Sequence, residues 1–463
     1  MYEAEIDNKI ITPYARDEVF ADEMRIVLRN CGLIDPENIK DYIARDGYKE
    51  LGTVLTELEP MKIIEMIDES GLRGRGGAGF RTGLKWKFTN QAEGKEKYVI
   101  ANADEGEPGT SKDRLIMEGD PHTLLESMAI AGYVIGANTG YIYIRGEYQL
   151  AVSRLETAIQ QAENLGLLGD NIFDSGFDFE IKIREGAGAY VCGEETALIK
   201  SIEGERGEPQ VKPPYPPNEG LWGQPTLVNN VETLANIPVI IKKGAEWFSN
   251  IGTETCPGTK VFTLSGDVEN EGVIEVPMGT PLREIIEDFG GGIADDREFK
   301  MAQSGGTSGG CMPKTLLDTP MDYDSLAEIG MTLGSGALLI MDETHCIVDM
   351  VKCFMRFFKH ESCGKCVPCR EGNTRFYNIL DKISQGEGAL EDLDRLKDLA
   401  DTMSKTALCG LGQTAPTPIY TTLRYFKDEY LNHIEDKVCT TGSCRDLTAP
   451  LNEGQNRRER LWK

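Results

Sequence analysis

Positive charge is in short supply. The chain has 49 lysines and arginines against 76 aspartates and glutamates, a formal charge of −27 at pH 7. Nucleic-acid binding needs a Lys/Arg surplus to neutralise phosphates, so this balance excludes that class, and an anionic membrane surface with it. Long apolar runs are missing as well. "GSGALLIMDE" is typical of the best available, well short of the roughly 20 residues that span a bilayer. The opening residues, "MYEAEIDNKI", are acidic and lack a signal peptide's apolar centre. These absences predict a cytoplasmic protein without direct membrane insertion. Internal repeats and low-complexity tracts are not found either.

What remains is ordinary globular composition, with 40% hydrophobic and 27% charged residues over 463 positions, enough for about three or four domains. Twelve cysteines in a reducing compartment are not expected to form disulfides. Cys31, Cys192, Cys256 and Cys311 stand alone, and the other eight follow residue 345. Soft-metal chemistry is therefore expected at the C-terminal end.

Periodicity predicts a helical segment over residues 1–60 and an α/β domain over 61–247. There strands "KEKYVIANA", "TGYIYIRG" and "FDFEIKIRE" alternate with helices "PHTLLESMAIAGYVIGAN" and "YQLAVSRLETAIQQAENL". Such alternation implies a largely parallel sheet. Residues 248–340 read as a small β-grasp-like module around the helix "PLREIIEDF". Residues 341–438 read as a helical metal domain, and 439–463 as a tail.

Four stretches carry chemistry. "GLRGRGGAGFRTGLKW" (71–86) sets a bare backbone beside four cations, which suits a phosphate. It follows a helix-spaced segment, so it is no dinucleotide fingerprint, and Lys85 lies outside any P-loop ending. A plain flexible loop is the alternative. "NADEGEPGTSKDR" crowds Asn102, Asp104, Glu105 and Glu107 at a strand's carboxyl end, where open α/β sheets bind ligands. These acids should meet hydroxyls or N–H groups rather than phosphate, unless the segment is only a solvated acidic turn. "REGAGAYVCGEETALIK" places Glu194 and Glu195 where a helix begins, and acids there also simply satisfy the helix dipole. "TLVNNVETLANIP" pairs Asn229 with Glu232 as a capping box whose N-terminus could also face an anion.

The most specific signal is "ESCGKCVPCREG". Cys363, Cys366 and Cys369 are spaced C-x2-C-x2-C, and Cys409 stands forty residues on. Three thiolates at three-residue steps can take three corners of a [4Fe–4S] cubane while a distant fourth closes it. Structural zinc, which usually draws on two C-x2-C pairs, and chance core cysteines are the alternatives. In "LNHIEDKVCTTGSCRDL", His433, Cys439 and Cys444 form H-x5-C-x4-C, a possible zinc site with Cys346 as fourth ligand. Cys353 and His360 are also available, and reduced surface cysteines are the alternative.

Taken together, these stretches resemble the flavin-bearing, NADH-binding subunit of respiratory complex I (the 51-kDa type). They are equally similar to its relatives in soluble NAD-dependent hydrogenases and formate dehydrogenases, some of them electron-bifurcating. The resemblance runs in order over about residues 20 to 440. It implies FMN, NAD(H), one [4Fe–4S] cluster, and a Rossmann-like, a β-grasp and a helical iron–sulfur domain. By the same resemblance, Gly74, Gly76, Gly77 and Lys85 hold the FMN phosphate region. Asn102, Asp104, Tyr190, Gly193, Glu194, Asn229, Asn230 and Thr233 complete the flavin site. Phe80, Phe88, Glu107, Glu195, Lys212 and Tyr215 would face NADH, and Glu107 is expected to accept the adenosine ribose hydroxyls, as acids do in other dinucleotide sites. Glu105 and Glu194 are the candidates for orienting the reacting groups. Arg81 and Tyr215 depart from the family's usual proline and phenylalanine. The implied partners are a thioredoxin-like [2Fe–2S] small subunit and a larger iron–sulfur or catalytic subunit. The C-terminal tail favours a soluble complex. A respiratory subunit, or an iron–sulfur relay that has lost NADH or flavin, are the alternatives.

Overall fold

Two five-stranded sheets organise the chain. The computed structural model describes residues 25–444 and Leu447. The helical pattern expected before residue 25, and most of the 439–463 tail, lie outside the described residues.

The first sheet comprises β1 (Tyr98–Ala103), β2 (Thr139–Arg145), β3 (Gly169–Ile172), β4 (Phe177–Gly186) and β5 (Thr226–Asn230), in the order β3-β4-β2-β1-β5. β1 pairs in parallel with β2 and β5, and β2 with β4; only β3 is antiparallel. The chain leaves β1 in one direction to β2 and β4, then returns to its other side for β5. That reversal opens a crevice at the carboxyl ends of β1 and β5.

Strand alternation sends side chains to two different cores. Val99, Ala101 and Ala103 of β1 pack with the helices Pro121–Ile135 and Gln149–Asn164. Tyr98 and Ile100 point the other way, into a core shared with the C-terminal helices. The sheet is thus buried on both faces, and its second face continues into the metal domain.

The second sheet contains β6 (Thr259–Gly266), β7 (Gly272–Pro277), β8 (Phe299–Ser304), β9 (Gly310–Pro313) and β10 (Ala337–Asp342), ordered β7-β6-β10-β8-β9. Its first and last strands, β6 and β10, run parallel at the centre, the β-grasp arrangement. The expected helix appears as Leu282–Glu284 continued by a wider turn, Ile285–Phe289. β8, β9 and the helix Tyr323–Glu328 were not predicted, because their apolar periods are too short to register. Helices Ile347–Glu361, Val367–Ser384, Leu390–Thr406 and Thr417–Tyr425 build the C-terminal domain. No helix among the described residues is long and apolar enough to cross a membrane.

β5 was also unpredicted, and it shifts the expected cap. Asn229 lies inside the strand; Asn230 is the N-cap, its side chain accepting from the Glu232 amide at 3.0 Å. The Glu232 carboxylate does not close a capping box. It is fully buried between Lys112 (3.0 Å) and Lys260 (2.7 Å).

Candidate active site and metal centres

The glycine stretch turns between the helices Pro60–Glu69 and Thr82–Gln91. Two of its bonds set its shape: the Gly74 amide donates to Phe80 O at 2.8 Å, and Tyr323 Oη donates to Gly74 O at 2.7 Å. A Cβ on Gly76 would lie 2.9 Å from the Cβ of Asn230, so only glycine allows the loop this close to β5. The Gly76 and Gly77 amides make no backbone hydrogen bond among the described residues, as an anion cradle requires.

The arginines of the loop serve the protein rather than a ligand. Arg75 is fully buried and donates to the carbonyls of Thr259, Pro257 and Arg73 at 3.0, 2.6 and 3.0 Å, pinning the loop to β6. Arg73 pairs with Asp324 and Arg81 with Asp68, each at 2.9 Å. Lys85, on the next helix, reaches Val228 O and the Glu195 carboxylate, both at 3.1 Å. Sequence reasoning missed Arg75, because nothing local distinguishes a buried arginine from a phosphate ligand.

At the ends of β1 and β5 the expected flavin residues converge. Asn102 Nδ2 donates to Gly193 O at 2.8 Å. Asn229 accepts from the buried indole of Trp86 at 2.9 Å, and Asn230 donates to Asp113 at 2.7 Å. Thr233 is fully buried, and its hydroxyl accepts the Arg75 amide at 2.8 Å, so it shapes the loop from behind. Asp104 is distinctive: both of its carboxylate oxygens are buried without a hydrogen-bond partner. They abut Gly193, where an added Cβ would sit 3.6 Å from one of them. An amide cradle, amide side chains and an unmatched carboxyl are a donor and acceptor set that fits a flavin mononucleotide.

The acids divide by role. Glu105 accepts the amides of Asp113 (2.9 Å) and Arg114 (3.0 Å), capping the helix Lys112–Gly119. A carboxylate so committed is an orienting group for that helix, not for a reacting atom. Glu194 caps the helix Glu195–Ile202 through the amides of Thr196 (2.9 Å) and Ala197 (3.1 Å), and also pairs with Lys212 at 2.8 Å. Glu195 lies between Lys85 and Lys212, the latter at 2.7 Å. Burial works to raise its pKa, but the two lysines outweigh burial and hold it below the ordinary carboxylate value. Glu107 is turned inward: it accepts from Tyr190 Oη at 2.6 Å and from the Thr307 amide and hydroxyl. In this arrangement its oxygens already have protein donors, and a ribose hydroxyl would have to displace them. Phe80, Phe88 and Tyr215 are 48, 46 and 52% exposed, leaving ring faces open for stacking.

Cys363, Cys366, Cys369 and Cys409 line one small pocket together with Val191, Pro209 and Leu411. No three of these sulfurs come within 4.8 Å of one another, whereas another group of four ligands does. The wider spacing suits a cluster better than a single ion. Cys366 and Cys409 are the N-caps of the helices Val367–Ser384 and Gly410–Thr414. Asn373 donates to Cys369 Sγ at 3.3 Å. Val191, on this pocket, follows Tyr190, whose ring packs on Phe357 with centroids 5.2 Å apart and whose amide donates to Glu361 at 3.0 Å.

The tighter group is Cys346, His433, Cys439 and Cys444, all buried, with ligand atoms within 4.8 Å of one another. Cys346 Sγ lies 3.3 Å from His433 Nε2 and 3.8 Å from Cys444 Sγ; Cys444 Sγ lies 3.4 Å from the same nitrogen. Tetrahedral zinc with Zn–S near 2.3 Å has edges of about 3.5–3.8 Å. The other ring nitrogen, Nδ1, is 2.7 Å from Glu429 O, which leaves Nε2 for a metal.

Comparison with known proteins places these sites in context. Residues 67–239 match the Nuo51 FMN-binding domain, 261–311 the SLBB domain, and 349–433 the NADH-ubiquinone oxidoreductase-F iron-sulfur binding region. The chain is 55% identical over 425 residues to the NADP-reducing hydrogenase subunit HndC of Solidesulfovibrio fructosivorans, covering 92% of this chain and 86% of that one. It is 46% identical over 414 residues to an NADH-quinone oxidoreductase subunit of Rhizobium meliloti, covering 89% and 98%. Among solved structures, an NAD+-reducing [NiFe]-hydrogenase in the H2-reduced state superposes with a TM-score of 0.79 at 33% identity, covering 92% of this chain and 68% of that one.

Proposed function

The chain belongs to the family of FMN-binding, iron–sulfur subunits found in NADH-quinone oxidoreductases and NAD(P)-reducing hydrogenases, and from that membership we propose the residues that do its work. It is an NAD(H)-dependent oxidoreductase subunit. FMN, when bound, supplies the chemistry that converts hydride transfer from NADH into single-electron steps. The chain's own task is positioning. Gly74, Gly76, Gly77 and Lys85 hold the phosphate end; Asn102, Asp104, Gly193, Asn229 and Asn230 hold the ring and its side chain. Phe80, Phe88 and Tyr215 stack the nucleotide, with Lys212 and Glu195 at its polar edge. The four cysteines from Cys363 to Cys409 carry the [4Fe–4S] cluster.

The observation that carries this reading is the segment Tyr190–Gly193. Gly193 lies against Asp104 and Asn102, Tyr190 against Phe357, and Val191 against the cluster cysteines. One short turn therefore touches both proposed cofactor sites. The domain limits follow the same logic: 61–247 for flavin, 248–340 for the β-grasp module and 341–438 for the cluster. With Cys409→Ala, NADH should still bleach the flavin of the anaerobic protein while the cluster signal is lost or altered. A full [4Fe–4S] signal in that variant would refute the ligand set, and unbleached flavin in the native chain would refute the activity.

Relatives that are subunits of larger complexes support partners for this chain too. A thioredoxin-like [2Fe–2S] subunit and a larger iron–sulfur subunit are the proposed ones, in a cytoplasmic complex. Cys346, His433, Cys439 and Cys444 are proposed to hold zinc, because their spacing closes a tetrahedron around a single ion. That ion would tie the tail to the start of the helix Ile347–Glu361.

A further inference from the structure

The four cluster cysteines differ in what surrounds their sulfurs. Cys369 is buried, and two side chains reach its Sγ: Ser362 Oγ at 3.2 Å and Asn373 Nδ2 at 3.3 Å. Among the described residues, no side-chain donor meets the sulfur of Cys363, Cys366 or Cys409. The two contacts come from different elements. Ser362 closes the helix Ile347–Glu361. Asn373 lies four residues after Cys369 on the helix Val367–Ser384, so it shares that cysteine's face. Gly412 packs against the same side chain: a Cβ there would sit 3.0 Å from the Cβ of Cys369 and 3.3 Å from its sulfur.

Both contacts are oriented to offer a hydrogen to the sulfur. The Ser362 hydroxyl already accepts the Gly364 amide at 3.3 Å, which leaves its own hydrogen for Cys369. Asn373 is fully buried, and its Oδ1 finds no donor among the described residues. Burying a half-satisfied amide is unfavourable, and a leucine of similar volume would avoid it. The bond that this amide does make is the one to sulfur. A cysteine that ligates iron is a thiolate without a proton, so its sulfur can only accept. The amide must then present Nδ2 and the serine its hydroxyl, the arrangement found here.

We infer that Ser362 and Asn373 set the reduction potential of the [4Fe–4S] cluster by hydrogen-bonding the Cys369 thiolate. The inference rests on the cluster ligands proposed above and adds the residues that tune them. Reduction brings one electron from the flavin site to the cluster, and the thiolates bear part of the added negative charge. Donors aimed at a thiolate therefore stabilise the reduced state more than the oxidised one and raise the potential. Burial of Cys369 strengthens the effect by keeping water from competing. No proton is transferred. Both hydrogens stay on Ser362 and Asn373, which are positioning residues and not ligands.

The test is a redox titration of the full chain, following the electron paramagnetic resonance signal of the reduced cluster. It compares the native protein with Ser362→Ala, Ser362→Thr and Asn373→Leu, with iron content measured alongside. Ser362→Ala and Asn373→Leu should each shift the reduction equilibrium about three- to tenfold toward the oxidised cluster. That is a drop of about 30–60 mV for a one-electron couple. Ser362→Thr keeps the hydroxyl and should titrate within about twofold of the native equilibrium. Should the buried Asn373→Leu assemble no cluster, the partly buried Ser362 decides alone. Unshifted potentials at full iron content would overturn the inference, as would an equal drop in Ser362→Thr and Ser362→Ala. Loss of the cluster from Ser362→Ala would make that contact structural and overturn it too. A native chain with no [4Fe–4S] signal would instead overturn the cluster reading on which it stands.

Discussion

At the scale of single residues, the site works by committing charges to one another before any ligand arrives. Lys85, Glu195, Lys212 and Glu194 form a chain of alternating charge along one wall of the crevice. The two carboxylates in it offset the two lysines, so a nucleotide carrying an extra phosphate finds no net positive charge there. We expect preference for NADH over NADPH, with Glu195 rather than the inward-turned Glu107 as its main source. Glu195→Gln should raise the NADPH-to-NADH ratio of kcat/KM by about tenfold, the effect of roughly 1.4 kcal/mol. Unchanged selectivity would return the role to Glu107. Because the folded pKa of Glu195 is depressed, its ionic contribution is present above the unfolded pKa and fades only as pH falls through the folded one. Selectivity should therefore be constant from neutral pH upward and decline in acid.

At the scale of elements, helix starts do most of the site-building. Glu105, Glu194 and Asn230 each cap a helix that begins at the crevice, and Cys366 and Cys409 begin helices at the cluster pocket. Capping chemistry and ligand chemistry share residues here, which is why the sequence patterns left both readings open. The proposed zinc site also acts between elements, joining the turn after Leu431 to the start of the helix Ile347–Glu361. Metal analysis of anaerobically purified protein should find about one zinc per chain beyond the iron. Cys439→Ser should lose that zinc, keep the iron, and lower the thermal midpoint by releasing the tail. Protein with full iron and no zinc would end the idea.

At the scale of the whole molecule, the seam between the flavin domain and the β-grasp module is ionic. Lys260 of β6 crosses to Glu232, which also holds Lys112, itself 2.7 Å from Asp113; Asp113 in turn holds Asn230 at the flavin crevice. All four charged side chains are buried. Removing one member leaves an uncompensated buried charge, which costs on the order of 3–5 kcal/mol. Lys260→Met should lower the thermal midpoint and weaken FMN retention together, and adding Glu232→Gln should restore part of both. A variant as stable as the native chain would show the seam to be held by its apolar contacts alone.

Much of this protein was legible in linear order. The C-x2-C-x2-C spacing announced a cluster because ligand spacing on one helix start is a local property. β1, β2 and β4 and their helices were visible because their apolar periods are long enough to read. The resemblance, carried by contiguous motifs, brought the family with it. Other features depend on which segments meet. β5 was hidden because its five residues run directly into a helix, and only pairing with β1 makes them a strand. Arg75 went unread and Thr233, expected at the flavin, also supports the loop, since the partners that bind Arg75 lie more than 150 positions away. Glu107 turned inward because a β-grasp loop supplies Thr307, and the buried oxygens of Asp104 find no hydrogen-bond donor among the described residues. Residue type and spacing set which chemistry the chain can perform; burial and long-range partners decide which carboxylates, amides and thiols are free to perform it.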